Sequence, residues 1–188
     1  ERMYVALVAG VIKNNDGKVN LAIGRDISDR KKISSRTHSP REAETHFTVV
    51  RRFGIATLIH VFPQTGRTHQ IRVHMAHLAH PVVGDPCYGG RTARISALGA
   101  PRQMLHATSL GFIHPLTHKK VSFSAPPPPD MQEIIDLLGR GTLQPAPTTG
   151  QPQGVRPLRG VRPLREVRPL REVRPLRGLP LQQDWMVL

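Results

Sequence analysis

The ten residues Thr65-Gly66-Arg67-Thr68-His69-Gln70-Ile71-Arg72-Val73-His74 bring together two arginines, two histidines and a glutamine. A core helix does not tolerate that mixture, and a solvated one does not need it, so the stretch points to a bound anion or polar group. Ile71, Met75 and Leu78 recur at i, i+4 and i+7. They predict a helix from about Arg67 to Ala79 with its apolar stripe against a sheet. His80-Pro81 should end it, since the residue before proline avoids helical geometry. On that helix Arg72 has Thr68, Met75 and Ala76 at i−4, i+3 and i+4. It therefore emerges at the border of the stripe, partly desolvated, where a guanidinium demands a carboxylate or phosphate. Arg67 and Thr68 fall in the expected first turn, where free N–H groups and the helix dipole favour an anion. With His69 and Gln70 they form a candidate contact zone for phosphate and base. For His69 a structural hydrogen bond is an equal reading.

Other chemistries find less support. His74, His77 and His80 follow at i, i+3 and i+6, which drifts around a helix. No cysteine pair, HExxH or carboxylate stands at ligand spacing beside them, so no metal is expected. Sheet-bonded or solvent-facing histidines are the better reading, and a metal-dependent hydrolase is set aside. Phosphate-loop, dinucleotide and nucleophile-elbow patterns are absent.

The elements that must position these residues can be read on either side of them. YVALVAGVI at 4–12 has the apolar, β-branched character of a buried strand, and NNDG at 14–17 should turn the chain. Residues 24–42 are polar and basic and read as an exposed excursion. ETHFTVVRR at 44–52 and ATLIHVF at 56–62 are two strands joined at Phe53-Gly54-Ile55. Thr45, Phe47 and Val49 share one face of the first, with His46, Thr48 and Val50 on the other. VVGDPCYGG reads as a short strand and glycine-rich turn, and residues 105–115 and 119–126 as a hairpin. DMQEIIDLL at 130–138 reads as a short amphipathic helix with Asp130 at its N-cap.

Charge and composition bound the partners. The chain carries 27 Lys+Arg against 13 Asp+Glu, a net +14, and all ten histidines precede residue 140. A basic excess spread over a folded body suggests a polyanion, with nucleic acid the leading candidate. No apolar run is long enough for a membrane helix, so no membrane partner is expected. The lone Cys87 fits a reducing, cytoplasmic setting. Residues 1–139 read as one folded unit. Residues 140–188 include VRPLRG, VRPLRE, VRPLRE and VRPLRG from Val155 to Gly178, a six-residue period with proline in every copy. Proline at that density builds neither helix nor sheet interior, which predicts a disordered tail; a basic arm for RNA is the functional alternative.

TGRTHQIRVHMAHLAHPVVGDPCYGG at 65–90 closely resembles the third motif of the RluA-type RNA pseudouridine synthases, particularly the RluD-like branch. RMYVALVAG at 2–10, AIGRD at 22–26, AETHF at 43–47, LHATSLGFIHP at 105–115 and FSAPPPPDM at 123–131 match in the same order. The resemblance spans about residues 2–138. It implies an α+β fold, a mixed and mostly antiparallel sheet with flanking helices. The activity it implies converts uridine to pseudouridine in RNA, with ribosomal RNA as partner and no metal or cofactor. In that mechanism an aspartate acts on the ribose, and the uracil detaches, rotates and rejoins through C5.

Matched by position, Arg72 is the arginine that pairs with the catalytic aspartate, and Tyr4 the tyrosine that packs on the base. Leu105 resembles the apolar residue lining the base pocket, and core packing is the plain alternative for both Tyr4 and Leu105. The family's aspartate belongs to an HRLD-type motif, and none of Asp16, Asp26, Asp29, Asp85, Asp130, Asp136 or Asp184 follows His-Arg-Leu. Asp85, in the GDP turn, is expected to be structural. The chain thus reads as the C-terminal part of a catalytic domain, monomeric, inactive by itself and with the edge of YVALVAGVI unpaired. A non-catalytic RNA-binding remnant is the alternative.

Overall fold

The structure, a computed structural model, describes residues 1–29, 31–89 and 93–141. The VRPLR repeats lie outside the described residues. Six strands form the main sheet: β1 (Arg2–Ala9), β2 (Asp16–Asn20), β5 (Glu44–Arg52), β6 (Ala56–Pro63), β7 (Leu105–Ile113) and β8 (Lys120–Ser124), in the spatial order β2-β5-β6-β1-β7-β8. Every neighbour pairing is antiparallel. The short strands β3 (Gly24–Arg25) and β4 (Ile33–Ser34) pair in a small second sheet. The helices are α1 (Gln70–His77), α2 (Ala93–Ser96) and α3 (Pro129–Gly139). The architecture is α+β, as the sequence implies.

The apolar run in β1 is explained by its two covered faces. Tyr4, Ala6 and Val8 join Ile59, Val61, Ile71 and Met75 in a cluster beneath α1. Val5, Leu7 and Ala9 join Met104, Met131, Ile134 and Leu138 in a second cluster beneath α3, with Ile95 and Leu98 beside it. A strand covered on both sides has no use for polar alternation. Fully burying a side chain such as Leu7 or Ile59 contributes roughly 2 kcal/mol each. β1 pairs with β6 on one side and β7 on the other, so it is central and the expected unpaired edge does not exist. The edges are β2 and β8.

Strands β5 and β6 fall where the sequence puts them, and their turn has Gly54 at φ 79°. Other expectations need correction. Asp16-Gly17 already belongs to β2, where the Phe47 ring occupies the space a Cβ on Gly17 would need. Residues 24–42 are not a mere excursion. They hold β3 and β4, and Asp26 is buried, accepting from Ser28 N, Asp29 N and Ser34 Oγ. In place of a strand, the described residues 82–89 give an isolated bridge from Val82 to Val8, followed by Gly84 at φ 74°. Pro128, not Asp130, caps α3; Asp130 pairs with Arg102 instead, because Pro129 already occupies the first helical position. α2 carries no strong signal in the sequence.

Candidate active site

Helix α1 begins at Gln70, three residues later than its apolar period suggests, because His69 sits in the left-handed region at φ 55° and blocks helical continuity upstream. Arg67 and Thr68 therefore lie in the loop before the helix rather than in its first turn. Gln70 organises that loop and is itself buried. Its Oε1 accepts from Thr65 Oγ1 at 2.7 Å and Arg67 N at 2.9 Å, while Nε2 donates to Glu44 O and Thr45 Oγ1. The amide is fully engaged within the protein and pins the loop to β5.

The same face of β5 holds α1 at its middle. His74 is completely buried, with Nδ1 2.9 Å from Thr45 Oγ1 and Nε2 3.1 Å from Leu21 O. Burial holds its pKa below the ordinary histidine value, so it serves as a neutral structural link. His80 Nδ1 lies 2.8 Å from Ala9 O. These are sheet-bonded histidines, and among the described residues no group of His, Cys, Asp and Glu is arranged to hold a metal.

Arg72 finds the carboxylate that its position demands. Its Nε donates to Asp85 Oδ2 at 2.6 Å and its Nη2 to Asp85 Oδ1 at 2.8 Å, a two-pronged pair that leaves Nη1 uncommitted by the contact. The Asp85 side chain is fully buried and that of Arg72 is 11% exposed. Burial pushes the Asp85 pKa up, but Arg72 and the N–H groups of Tyr88 and Cys87 outweigh it and hold it below the usual carboxylate value. The bonds to Asp85 raise Arg72 in turn. Tyr88 completes the support. Its ring lies 4.9 Å from the guanidinium carbon, and its hydroxyl accepts from Ile33 N and lies 3.0 Å from His69 Nδ1. Burial, then the charge of Arg72, keeps His69 below the normal histidine pKa.

A cleft of about 340 Å³ opens above this assembly. Tyr4, Leu105, Ile71 and Pro63 give it apolar and aromatic walls, and Arg67, His69, Gln70 and Arg72 give it a polar side. The register explains the meeting. Tyr4 pairs with Val61 and Ala107, and Leu105 pairs with Ala6, so the two lie close together across the β1–β7 pair and on the α1 face. Of the seven candidate residues only Thr68 lies elsewhere, in an adjoining groove. None of the twelve residues lining the cleft carries a carboxylate. Sequence reasoning missed Thr65, Gln103, Arg2 and Tyr88. Tyr88 is separated from Arg72 by a turn that carries no periodicity, and Arg2 reaches the site only through β1, donating to Thr65 O.

The chain's beginning matches the model of the RNA pseudouridylate synthase family over residues 1–77. It is 45% identical over 137 residues to an uncharacterized RNA pseudouridine synthase, YlyB, of Bacillus subtilis, covering 73% of this chain and 44% of that protein. The ribosomal large subunit pseudouridine synthase D of Xanthomonas campestris is 40% identical over 146 residues, with the same two coverages. The chain belongs to the RluA-type RNA pseudouridine synthases. Among solved structures it is similar to human RNA pseudouridylate synthase domain containing 1, at TM-score 0.61 and 28% identity, covering 78% of this chain and 67% of that one. The chain spans less than half the length of those two curated relatives. Arg72 and Tyr4 both line the cleft.

Proposed function

We propose that this chain is part of an enzyme that isomerises uridine to pseudouridine in RNA, with large-subunit ribosomal RNA as substrate class. The observation that carries the reading is the cleft uniting Tyr4, Arg72 and Leu105 beside the β1–β7 pair. A uracil turned out of its stack would lie against Tyr4 and between the apolar walls. Arg67 stands in the wall shared with the adjoining groove that Thr68 lines, where a phosphate would pass; His69 and Gln70 act chiefly by fixing the loop. In the reaction the C1′–N1 bond breaks and a C1′–C5 bond forms. N1 takes up a proton and C5 releases one, so no cofactor is consumed.

Among the described residues, none that lines the cleft supplies the acting carboxylate. Asp85 is held behind Arg72 by four hydrogen bonds and is not free to approach a ribose. Arg72, anchored by Nε and Nη2, retains Nη1 to orient an aspartate supplied by a segment outside residues 1–188. Residues 1–188 alone are thus expected to be inactive. The likeness to relatives named for the ribosomal large subunit supports the substrate class.

Release of tritium from RNA labelled at uracil C5 tests the reading. Residues 1–188 should release none, and a fusion carrying the upstream half of the Bacillus subtilis relative should release it from large-subunit transcripts. Turnover by residues 1–188 alone would mean that another residue performs the aspartate's role. A folded fusion that binds RNA yet releases nothing would favour the non-catalytic remnant.

A further inference from the structure

Beside the base cleft lies a larger groove of about 660 Å³, and the two share Gly66 and Arg67 as a common wall. Three guanidinium groups line it, those of Arg25, Arg41 and Arg67, together with His38 and Thr68. Its one carboxylate, Asp26, is taken up internally. Ser34 Oγ, Ser28 N and then Asp29 N donate to it, and those bonds with Arg36 hold its pKa at about 2. The groove therefore offers cations without a competing free carboxylate.

The groove is also built rather than incidental. Ile23 and Arg41 exchange two backbone bonds, at 3.0 and 2.9 Å, which fix the start and end of the 24–41 segment. A Cβ on Gly24 would collide with Ser39 O and Thr37 Oγ1, so the segment folds closely on itself there. Ile33 N is tied to the Tyr88 hydroxyl, on the ring that stacks against Arg72. Arg67 Nε is tethered to Glu42 O at 3.2 Å. Arg25 and Arg41 are exposed, with no side-chain hydrogen bond to the described residues.

We infer that this groove binds the phosphodiester backbone of the unpaired RNA strand adjoining the nucleotide held in the base cleft, with Arg25 and Arg41 as its phosphate contacts. The inference rests on the RNA-modifying reading above and extends it. An extruded nucleotide drags its neighbours out of regular helical geometry, and their phosphates need a fixed polar track. The shared Gly66-Arg67 wall makes that track adjoin the cleft lined by Tyr4 and Arg72. Selectivity would then depend on single-stranded flanks as well as on the base itself.

The test measures binding of a fluorescein-labelled twelve-nucleotide oligouridine to residues 1–188 by anisotropy across a salt series. The double variant Arg25→Gln/Arg41→Gln is compared with the wild type and with Lys13→Gln/Lys119→Gln, which removes equal charge away from the groove. Each phosphate contact to single strands contributes about 0.7 to the slope of log affinity against log salt. The groove variant should bind roughly tenfold more weakly near 0.1 M salt, with a slope shallower by about 1.4. The control pair should leave affinity within about twofold and the slope unchanged. Equal binding and slope for the groove variant and wild type would overturn the inference, as would absence of RNA binding by the wild type. A loss just as large in the control pair would also overturn it, by showing only diffuse charge. Tritium release by the fusion is a separate readout, so the isomerase reading can survive loss of the groove.

Discussion

Arg72 anchors the polar side of the cleft through its pair with Asp85, and its helix-border position made its demand for an acid legible. The identity of that acid was not, because Asp85 lies across a turn with no periodic relation to α1. Replacing Arg72 by alanine leaves the fully buried Asp85 carboxylate with only the Cys87 and Tyr88 N–H groups. Losing one partner of a buried pair costs about 3–5 kcal/mol, so a clear fall in melting temperature at pH 7 is expected. The Asp85 pKa is depressed in the folded wild type, so its stabilising effect is present above the unfolded carboxylate value. That effect is lost as pH falls through the folded pKa. The gap in melting temperature between Arg72→Ala and wild type should therefore narrow as pH falls below the ordinary carboxylate range. Arg72→Lys should retain charge but not the two-pronged geometry, and in the fusion it should abolish tritium release. Near-normal turnover by the lysine variant would remove Arg72 from the machinery; a gap that widens in acid would contradict the pairing.

Among elements, β5, β6, β7, β8 and α3 were legible from alternation, turn residues and a 3.6-residue period. The boundaries failed where tertiary contacts override local signals. His69 adopts φ 55° and delays α1, and the Phe47 ring draws Gly17 into β2 rather than a loop. The small β3–β4 sheet was hidden because Asp26 looks like a solvent residue in sequence, whereas its carboxylate is buried under hydrogen bonds. The sequence also misplaced the exposed edge. β1 is enclosed, and the vulnerable element is the β7–β8 hairpin, where Phe112 and Phe123 stack at 6.2 Å while both remain exposed. Ile113 and Leu116 are exposed beside them, and β8 pairs on one side only. An apolar edge strand invites association, and charge on it opposes that. Phe123→Lys should lower light scattering on concentration while costing about 1 kcal/mol or less, the value of an aromatic pair. Unchanged scattering would place the sticky surface elsewhere.

At the scale of the whole molecule, two parts of the chain contribute differently to stability and to charge. Among the described residues, the buried members of the apolar clusters run from Val5 to Leu138. The segment after Gly141 adds eight arginines against three acids, in a repeat whose prolines supply neither a helical stripe nor strand donors. Nothing in that composition builds an apolar face able to dock on the sheet. Truncation after Gly141 should consequently leave the melting temperature almost unchanged. Its effect belongs instead to polyanion binding, as a modest and sequence-independent loss of RNA affinity with a shallower salt dependence. The loss should add to that of Arg25→Gln/Arg41→Gln, because contacts at separate sites with no shared partner combine independently. Calorimetry of the truncated protein, followed by anisotropy with and without the groove substitutions, checks both halves. A drop of many degrees on truncation would show that the segment packs onto the body. A truncated groove variant binding no more weakly than the worse of its two parents would mean that both changes remove one and the same contact.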